Sequence, residues 1–214
     1  MRIARRPRRR RVRAWPPKAF RERTVTLRDG GEALIRQISP SDRDALRIGF
    51  ERLSKASRYR RFLSALDRLT DAQLDYLTNV DQRDHVAIVA VDPASRQEIL
   101  GVARFVRTGE RDAEPAIAVV DGWQGKGLGT ALLRALTARA REEGIERYEA
   151  LVLAENEPIL RLLGRAGEMR QRRAGSEAEV QINLSARPAT AHGRRGRARR
   201  ARRRAMRPRR GARG

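Results

Sequence analysis

Residues 119–130 read VVDGWQGKGLGT and have the composition of a turn that joins a strand to a helix. The preceding run, 116–120, is apolar and follows Pro115, which is typical of a buried strand. Leucine and alanine then recur every three or four residues over 128–140, which predicts an amphipathic helix that ends at Gly144. The stretch therefore predicts a glycine-rich loop between a strand and a helix.

The glycines of this loop point to a ligand. Gly125, Gly127 and Gly129 lack a Cβ, so the backbone can turn tightly and approach a bound group closely. The first N–H groups of a helix have no partner inside it and carry partial positive charge. Such a turn is suited to phosphate oxygens. The alternative is a glycine turn that serves packing alone.

Two common phosphate motifs do not fit the loop. A Walker loop needs Gly-Lys followed by Ser or Thr, but Lys126 precedes Gly127 and no hydroxyl residue follows directly. The dinucleotide fingerprint needs a third glycine where Thr130 stands. The pattern that fits is Gln/Arg-x-x-Gly-x-Gly/Ala, with Gln124 and Gly129 at its ends. It resembles the acetyl-CoA loop of the GNAT acetyltransferase superfamily, which implies that the loop amides hold the coenzyme A pyrophosphate.

The hydrophobic pattern along the chain predicts an α/β fold of the mixed α+β kind. The predicted elements are a hairpin turning at Asp29-Gly30, helices starting near Ser39, at 55–66 and at Thr70, strands at 86–91, 99–106 and 114–120, the glycine-loop helix, a strand at 148–153, a helix capped by Asn156, and a last strand at 178–184. This order implies a mixed central sheet with helices on both faces. It is the element order of the GNAT fold, whose strands beside the glycine-loop helix splay apart to admit acetyl-CoA.

Three further segments resemble one subgroup, the Pat-type bacterial protein-lysine acetyltransferases. Residues 53–62, LSKASRYRRF, resemble its LSxxSxYxRF segment, and Ala113-Glu114 resembles its AE strand start. Residues 152–156, VLAEN, resemble a third segment. In that subgroup the domain is often fused to an acyl-CoA synthetase-like or cyclic-nucleotide-binding domain. The resemblance covers about 24–184 and implies transfer of acetyl from acetyl-CoA to an amine, with a protein lysine as the acceptor.

Two departures from the superfamily pattern affect the chemistry. Many members place a proton-donating Tyr in the helix after the asparagine, and residues 157–167 contain none. A thiolate with a pKa near 8.5 can leave without such an acid. Residues 163–169 also lack the usual LGF segment, whose aromatic ring packs near the acceptor, so the sequence does not define acceptor specificity.

A lysine ammonium must lose its proton before it can attack a thioester, because its pKa is near 10.4. The resemblance places Glu114 at the position of the general base, which acts directly or through a water. The alternative is a solvated carboxylate at a strand start. Backbone N–H groups of Val119 and Val120 are expected to hold the oxyanion.

The remaining expected contacts are to the coenzyme. The residues expected to hold its pyrophosphate are Gln124, Gly125, Lys126, Gly127, Leu128, Gly129 and Thr130. Asn156 is expected to bind the pantetheine arm, or else to serve only as a helix N-cap. The Lys126 ammonium either adds charge at the phosphates or is solvated.

Charge divides the chain into three segments. Residues 1–23 contain eleven basic residues and one acid, and 187–214 contain thirteen arginines and no acid, so 24–186 is neutral with 25 of each. The sequence therefore predicts a GNAT acetyltransferase domain at 24–186 between a basic disordered arm, 1–23, and an Arg-rich disordered tail, 187–214. These ends are either biased extensions or segments that bind nucleic acid.

Composition excludes several classes of protein. The chain has no cysteine and two histidines, so disulfides, thiolate catalysis and a zinc site are not expected, and we expect no metal. No apolar run approaches the roughly 20 residues that span a membrane, and no secretory pattern follows the basic start, so a soluble cytoplasmic protein is expected. The alternatives are a small-molecule amine acetyltransferase, a nucleic-acid-binding protein that acts through its ends, and a non-catalytic acyl-CoA sensor.

Overall fold

Eight strands form one mixed sheet in the computed structural model, which describes residues 20–185. The strands are β1 Arg23–Thr26, β2 Glu32–Gln37, β3 His85–Val91, β4 Ile99–Arg107, β5 Asp112–Val119, β6 Arg147–Leu153, β7 Glu168–Ala174 and β8 Glu177–Asn183. Their order is β1-β2-β3-β4-β5-β6-β8-β7. All neighbours are antiparallel except β5 and β6, which run parallel.

Helices cover both faces of the sheet, so the mixed α/β expectation is confirmed. They are α1 Arg43–Glu51, α2 Lys55–Phe62, α3 Asp71–Thr78, α4 Leu128–Glu142 and α5 Glu157–Leu163. Side chains of Ser54, Thr70 and Asn156 accept hydrogen bonds from the first turns of α2, α3 and α5. The three helices begin at these residues because their side-chain oxygens accept hydrogen bonds from helix N–H groups that otherwise lack partners.

Two hydrophobic cores lie on opposite faces of the sheet. On one face α1 and α3 bring Phe50 and Leu74 against Val89. On the other face α4 buries Leu132 and Leu136 against the sheet, and α5 joins the same core. A sheet covered on both sides explains why β3 reads as a continuous apolar run rather than an alternating one. The sheet, packed on both faces, therefore positions the loops that follow β5 and β6.

Two elements differ from the predictions. Helix α2 stops at Phe62, before the predicted end at 66, because Leu63 adopts a left-handed conformation with φ of 51°. Strand β7 was not predicted at all. It is an edge strand with almost every side chain exposed, and only Met169 is partly buried, so no hydrophobic alternation marks it.

The described residues begin at Phe20, four residues before the predicted start of the domain at residue 24. Phe20 packs against the hydrophobic core, and β1 starts at Arg23. The rest of the basic arm, 1–19, and the tail, 187–214, lie outside the described residues, as do the expectations of disorder there. Between residues 20 and 185 no helix is long and apolar enough to cross a membrane.

Candidate active site

A cleft opens where β5 and β6 separate. The two strands pair only at Asp112–Arg147 and Ala113–Tyr148 and then diverge. The cleft has a volume of about 520 Å³, which lies in the range of small-ligand sites, and it extends from the glycine loop to the start of β5. Parallel strands that part in this way leave backbone groups on both inner edges without a neighbouring strand.

The proline in β5 gives a physical reason for the separation. The Val120 N–H donates to the Leu100 carbonyl at 3.0 Å, and backbone groups alternate between the two edges of an antiparallel pair. Val119, Ile117 and Pro115 therefore face β6 and not β4. Pro115 is the first residue after Ala113 whose backbone faces β6. Because proline has no N–H, it cannot donate the next hydrogen bond from β5 to β6.

The same register corrects one expected contact. Val120 cannot present its N–H to a ligand in the cleft, because that group is bonded to Leu100 in β4. Val120 is also buried away from the cleft, where it lines a small, mainly apolar cavity. The inward amides of β5 are those of Val119 and Ile117, and Ile117 was missed because its orientation depends on strand register, which the sequence does not reveal.

The glycine loop ends the cleft with a row of free amides. Gly125 and Gly127 have φ of 76° and 96°, and Gly127 stands at the N-terminus of α4. Within residues 20–185, the five consecutive N–H groups of 125–129 donate no hydrogen bond. The amides of Gln124 and Thr130 on either side are bonded to Asp121 and Gly127. Five free N–H groups at a helix N-terminus match the needs of a bound phosphate.

An arginine that the sequence did not indicate stands beside this row. A methyl group on Gly127 would come within 3.5 Å of Arg28 Cγ, and Arg28 lines the cleft. The Arg28 N–H donates to the Lys126 carbonyl at 3.0 Å, which fixes the β1–β2 hairpin against the loop. No local motif marks Arg28, because it reaches the loop only through the fold.

Lys126 is occupied elsewhere. Its ammonium forms an ion pair with Asp29 at 3.0 Å and lies 4.9 Å from the centre of the Trp123 ring. The hydrogen bond from Lys126 is the main reason that the pKa of Asp29 falls below its usual range. The Lys126 charge is therefore directed to Asp29, and Lys126 does not form part of the cleft wall. Leu128 is fully buried and does not form part of the cleft wall.

Gln124 and Asp121 orient the loop. The Gln124 side-chain amide donates to the Val119 carbonyl at 3.0 Å, which satisfies an edge group that β6 has left free. Asp121 accepts hydrogen bonds from the Ser54 N–H and from the Ser54 and Ser57 hydroxyls, all at 2.9 Å. Partial burial pushes the pKa of Asp121 up, but these bonds outweigh it and hold the pKa below its usual range. The start of α2 is thereby tied to the loop.

Most of the predicted site residues meet in the cleft. Its walls include Glu114, Val119, Gln124, Gly125, Gly127, Gly129, Thr130 and Asn156. Glu114 is exposed, at the end of the cleft away from the glycines. The Asn156 side-chain oxygen accepts the Ile159 N–H at 3.4 Å, so the residue is an N-cap as well as part of the wall. Among the described residues no group of three acidic or histidine side chains is placed to hold a metal ion.

Comparisons with known proteins agree with this geometry. The acetyltransferase (GNAT) family matches residues 50–167. The chain is 35% identical over 145 residues to acetyltransferase Pat of Mycolicibacterium smegmatis, which covers 67% of this chain and 43% of that protein. This chain therefore spans less than half of the length of that relative.

Solved structures give the same result. The GNAT domain of S. lividans PAT superimposes with a TM-score of 0.70 at 32% identity, covering 76% of this chain and 97% of that domain. A GNAT phosphinothricin acetyltransferase from Sinorhizobium meliloti, solved in complex with acetyl-CoA, shares the fold with a TM-score of 0.57 at 18% identity, over 74% of this chain and 94% of that one. The chain belongs to the GNAT acetyltransferase family.

Proposed function

We propose that the protein transfers the acetyl group of acetyl-CoA to an amine, and that the acceptor is a protein lysine. The observation that carries the proposal is the cleft between β5 and β6, which ends at five free amides in front of α4. An extended cofactor with a pyrophosphate fits a narrow cleft that is closed by a phosphate-binding helix end.

The coenzyme would bind in two parts. The amides of 125–129 and the Arg28 guanidinium hold the pyrophosphate, and the Thr130 side chain completes the wall. The pantetheine arm lies along the free edge of β5, where it takes the place of the absent strand and bonds to Val119. Asn156, on the opposite wall, has side-chain donors that no described residue accepts, so it can also serve this arm.

The spacing along β5 suggests which amide meets the thioester. At about 3.3 Å per residue, Val119 is roughly 17 Å from Glu114, whereas Ile117 is roughly 10 Å away. The base deprotonates the amine that attacks the thioester carbonyl, and the oxyanion donor binds the oxygen of the same carbonyl. Both groups must therefore lie near one reacting centre, so the Ile117 N–H is the better donor. Val119 is left to bind the arm. A water between Glu114 and the amine would fill the remaining distance.

The reaction then balances without a metal. Glu114 takes a proton from the lysine ammonium, directly or through water, and the amine attacks the thioester carbon. The Ile117 N–H stabilises the developing oxyanion. The C–N bond forms, the C–S bond breaks, and coenzyme A leaves as a thiolate, which takes up, directly or through water, the second proton that the amine nitrogen loses. The thiol pKa near 8.5 makes a general acid helpful but not required, which fits the absence of a tyrosine in α5.

The choice of a protein lysine rests on the resemblance to Pat-type enzymes. One of the segments that carry it, 53–62, has a structural role here, since Ser54 and Ser57 bind Asp121 beside the glycine loop. A small-molecule amine is the alternative acceptor. Nucleic-acid binding by the arginine-rich ends and a cytoplasmic location stay predictions from the sequence.

Replacement of Glu114 tests the catalytic part of the proposal. The Glu114→Gln variant keeps the shape of the side chain but cannot take a proton, so kcat is expected to fall at least about 100-fold. The measurement is release of free thiol from acetyl-CoA with a lysine peptide as acceptor. Glu110→Gln is the control, because Glu110 is exposed in the turn before β5 and outside the cleft. Equal turnover by wild type and Glu114→Gln would exclude Glu114 as the base.

A further inference from the structure

Two arginines near Glu114 lack the partners that the other buried arginines have. Arg104 in β4 is 5% exposed, and within residues 20–185 its guanidinium makes one hydrogen bond, from Nη1 to His85 Nε2 at 3.2 Å. Arg61 in α2 is partly buried, with its guanidinium 4.7 Å from the centre of the Phe62 ring. Neither forms an ion pair with a carboxylate anywhere in residues 20–185.

Elsewhere the protein neutralises or fully bonds its buried guanidinium groups. Arg36 donates two bonds of 2.7 Å to Asp42, and Arg139 pairs with Glu142 at 3.0 Å. Arg58, on the same helix as Arg61, donates to three backbone carbonyls. A guanidinium with no bonded carboxylate is costly to bury, so two of them on one face of the sheet point to a role other than stability.

Their position points to the acceptor. Arg61 lines the coenzyme cleft together with Glu114, and it also lines a cavity of about 50 Å³ beneath α2 that Arg104 reaches from below. The remaining cavity wall is apolar, formed by residues such as Leu46 and Phe50. The acceptor end of the cleft thus presents the Glu114 carboxylate and the Arg61 cation, and Arg104 lies behind Arg61 in the adjoining cavity.

The electrostatics favour a bound anion. Burial and the nearby Arg61 lower the pKa of Arg104 to about 9, and burial also lowers the pKa of Arg61, a shift that the nearby Glu114 charge opposes only in part. Of the other groups beside Arg104, His85 accepts a hydrogen bond and Tyr76 stacks on His85 at 4.9 Å. Neither brings a negative charge, so an incoming carboxylate would relieve the repulsion between the two arginines.

We propose that Arg61 binds a carboxylate carried by the acceptor, with Arg104 behind it as a second positive charge. The acceptor amine lies toward Glu114 and its anionic group toward α2. This inference rests on the proposed function and adds the chemical class of its substrate. The carboxylate belongs either to an acidic residue next to the lysine of a protein or to a free amino acid.

Paired substrates separate these two sources. The first pair is a lysine peptide with Glu next to the lysine and the same peptide with Gln. The second pair is Nα-acetyl-lysine and Nα-acetyl-lysinamide, which differ only in the carboxylate. In at least one pair the anionic member is expected to have a kcat/KM at least about tenfold higher, mainly through KM, since a charged hydrogen bond is made or lost.

Variants of the full chain show whether Arg61 is the cause. Arg61→Gln is expected to abolish the preference and Arg61→Lys to keep part of it, without change in the KM for acetyl-CoA. Arg47→Gln removes the same charge from an exposed ion pair with Asp44 on α1 and should leave the preference intact. Anions attracted to the arginine-rich ends affect all variants equally.

Arg104→Met gives a readout that a structural role would not produce. Removing an unpaired buried charge is expected to raise the melting temperature while it weakens the preference for the anionic substrate. If the role of Arg104 were purely structural, its replacement would instead lower the melting temperature of the protein.

The outcomes separate this inference from the proposed function. Equal kcat/KM within both pairs, or a preference that survives in Arg61→Gln, would overturn the anion site while acetyl transfer stands. If no amine is acetylated, the proposed function fails. The anion site is then tested separately, by the binding of succinate. Succinate at matched ionic strength should raise the melting temperature of wild type but not of Arg61→Gln. The same shift in both proteins would overturn the site.

Discussion

At the scale of single residues, the site depends on which way each backbone group faces. Val119 and Val120 are neighbours in sequence, yet the bond from Val120 to Leu100 leaves only the Val119 amide in the cleft. The sequence could indicate the glycines and Gln124, because their type and spacing carry the information. It could not indicate Arg28 or Ile117, because the first reaches the loop through a hairpin and the second through strand register.

His85 makes a residue-scale prediction about pH. Burial, followed by the charge of Arg104, lowers the pKa of His85 to about 4, and Asp81 opposes the shift only in part. The unfolded chain takes up this proton near pH 6.5 but the native state does so only near pH 4. The free energy of unfolding therefore falls as the pH drops from about 6.5 to about 4, by at most about 3 kcal/mol from this group.

The measurement is urea unfolding of wild type and His85→Gln between pH 4 and 7.5. Glutamine keeps an acceptor for Arg104 but does not titrate in this range. The variant is expected to show the smaller loss of stability on acidification. Parallel curves for the two proteins would mean that His85 titrates normally in the folded state.

At the scale of elements, hydrophobic pattern predicted seven of the eight strands, and its failures have physical causes. Strand β7 is held by backbone bonds to β8 and exposes its side chains, including Arg170 and Arg172, so it has no apolar face to detect. The early end of α2 depends on one left-handed residue, Leu63, whose type does not favour that conformation. A hydrophobic pattern reveals only elements that bury an apolar face, and neither β7 nor the end of α2 buries one.

The turn from α5 into β7 gives an element-scale prediction. A Cβ at Gly167 would lie 1.9 Å from the Asn183 carbonyl oxygen, so the backbone of β7 or β8 must move. Gly167→Ala is expected to lower the free energy of unfolding by about 3 kcal/mol or more.

Gly164→Ala is the matched control. Its new Cβ would come no closer than 3.5 Å to any atom, and its φ is an ordinary −60°. We expect a change within about 1 kcal/mol, and a gain if the unfolded chain loses freedom. Thermal or urea unfolding of both variants checks the pair, and equal stability of the two would contradict the packing described at Gly167.

At the scale of the whole molecule, charge and chemistry occupy different parts of the chain. Residues 24–186 are neutral, while 187–214 contain thirteen arginines and no acid. We expect a chain ending at residue 186 to acetylate a lysine peptide as fast as the full chain. Its affinity for duplex DNA should be much lower and less dependent on salt, because fewer phosphates are neutralised. Loss of acetyl transfer on truncation would place part of the active site in the tail.

The central claim is that the glycine loop binds the pyrophosphate of acetyl-CoA, and calorimetric titration of the full chain tests it most directly. Wild type is expected to bind acetyl-CoA with a Kd in the range of about 1–100 μM. Gly127→Glu places a carboxylate among the free amides and should weaken binding at least about 100-fold, or about 2.7 kcal/mol.

Two controls accompany the titration. Gly127→Ala carries the backbone strain of a side chain at φ 96° without the charge, and Gly122→Glu adds the same charge where no atom lies within 4 Å. Both should bind far more tightly than Gly127→Glu. If wild type fails to bind at millimolar acetyl-CoA, or if Gly127→Glu binds as wild type does, the loop is not a coenzyme site.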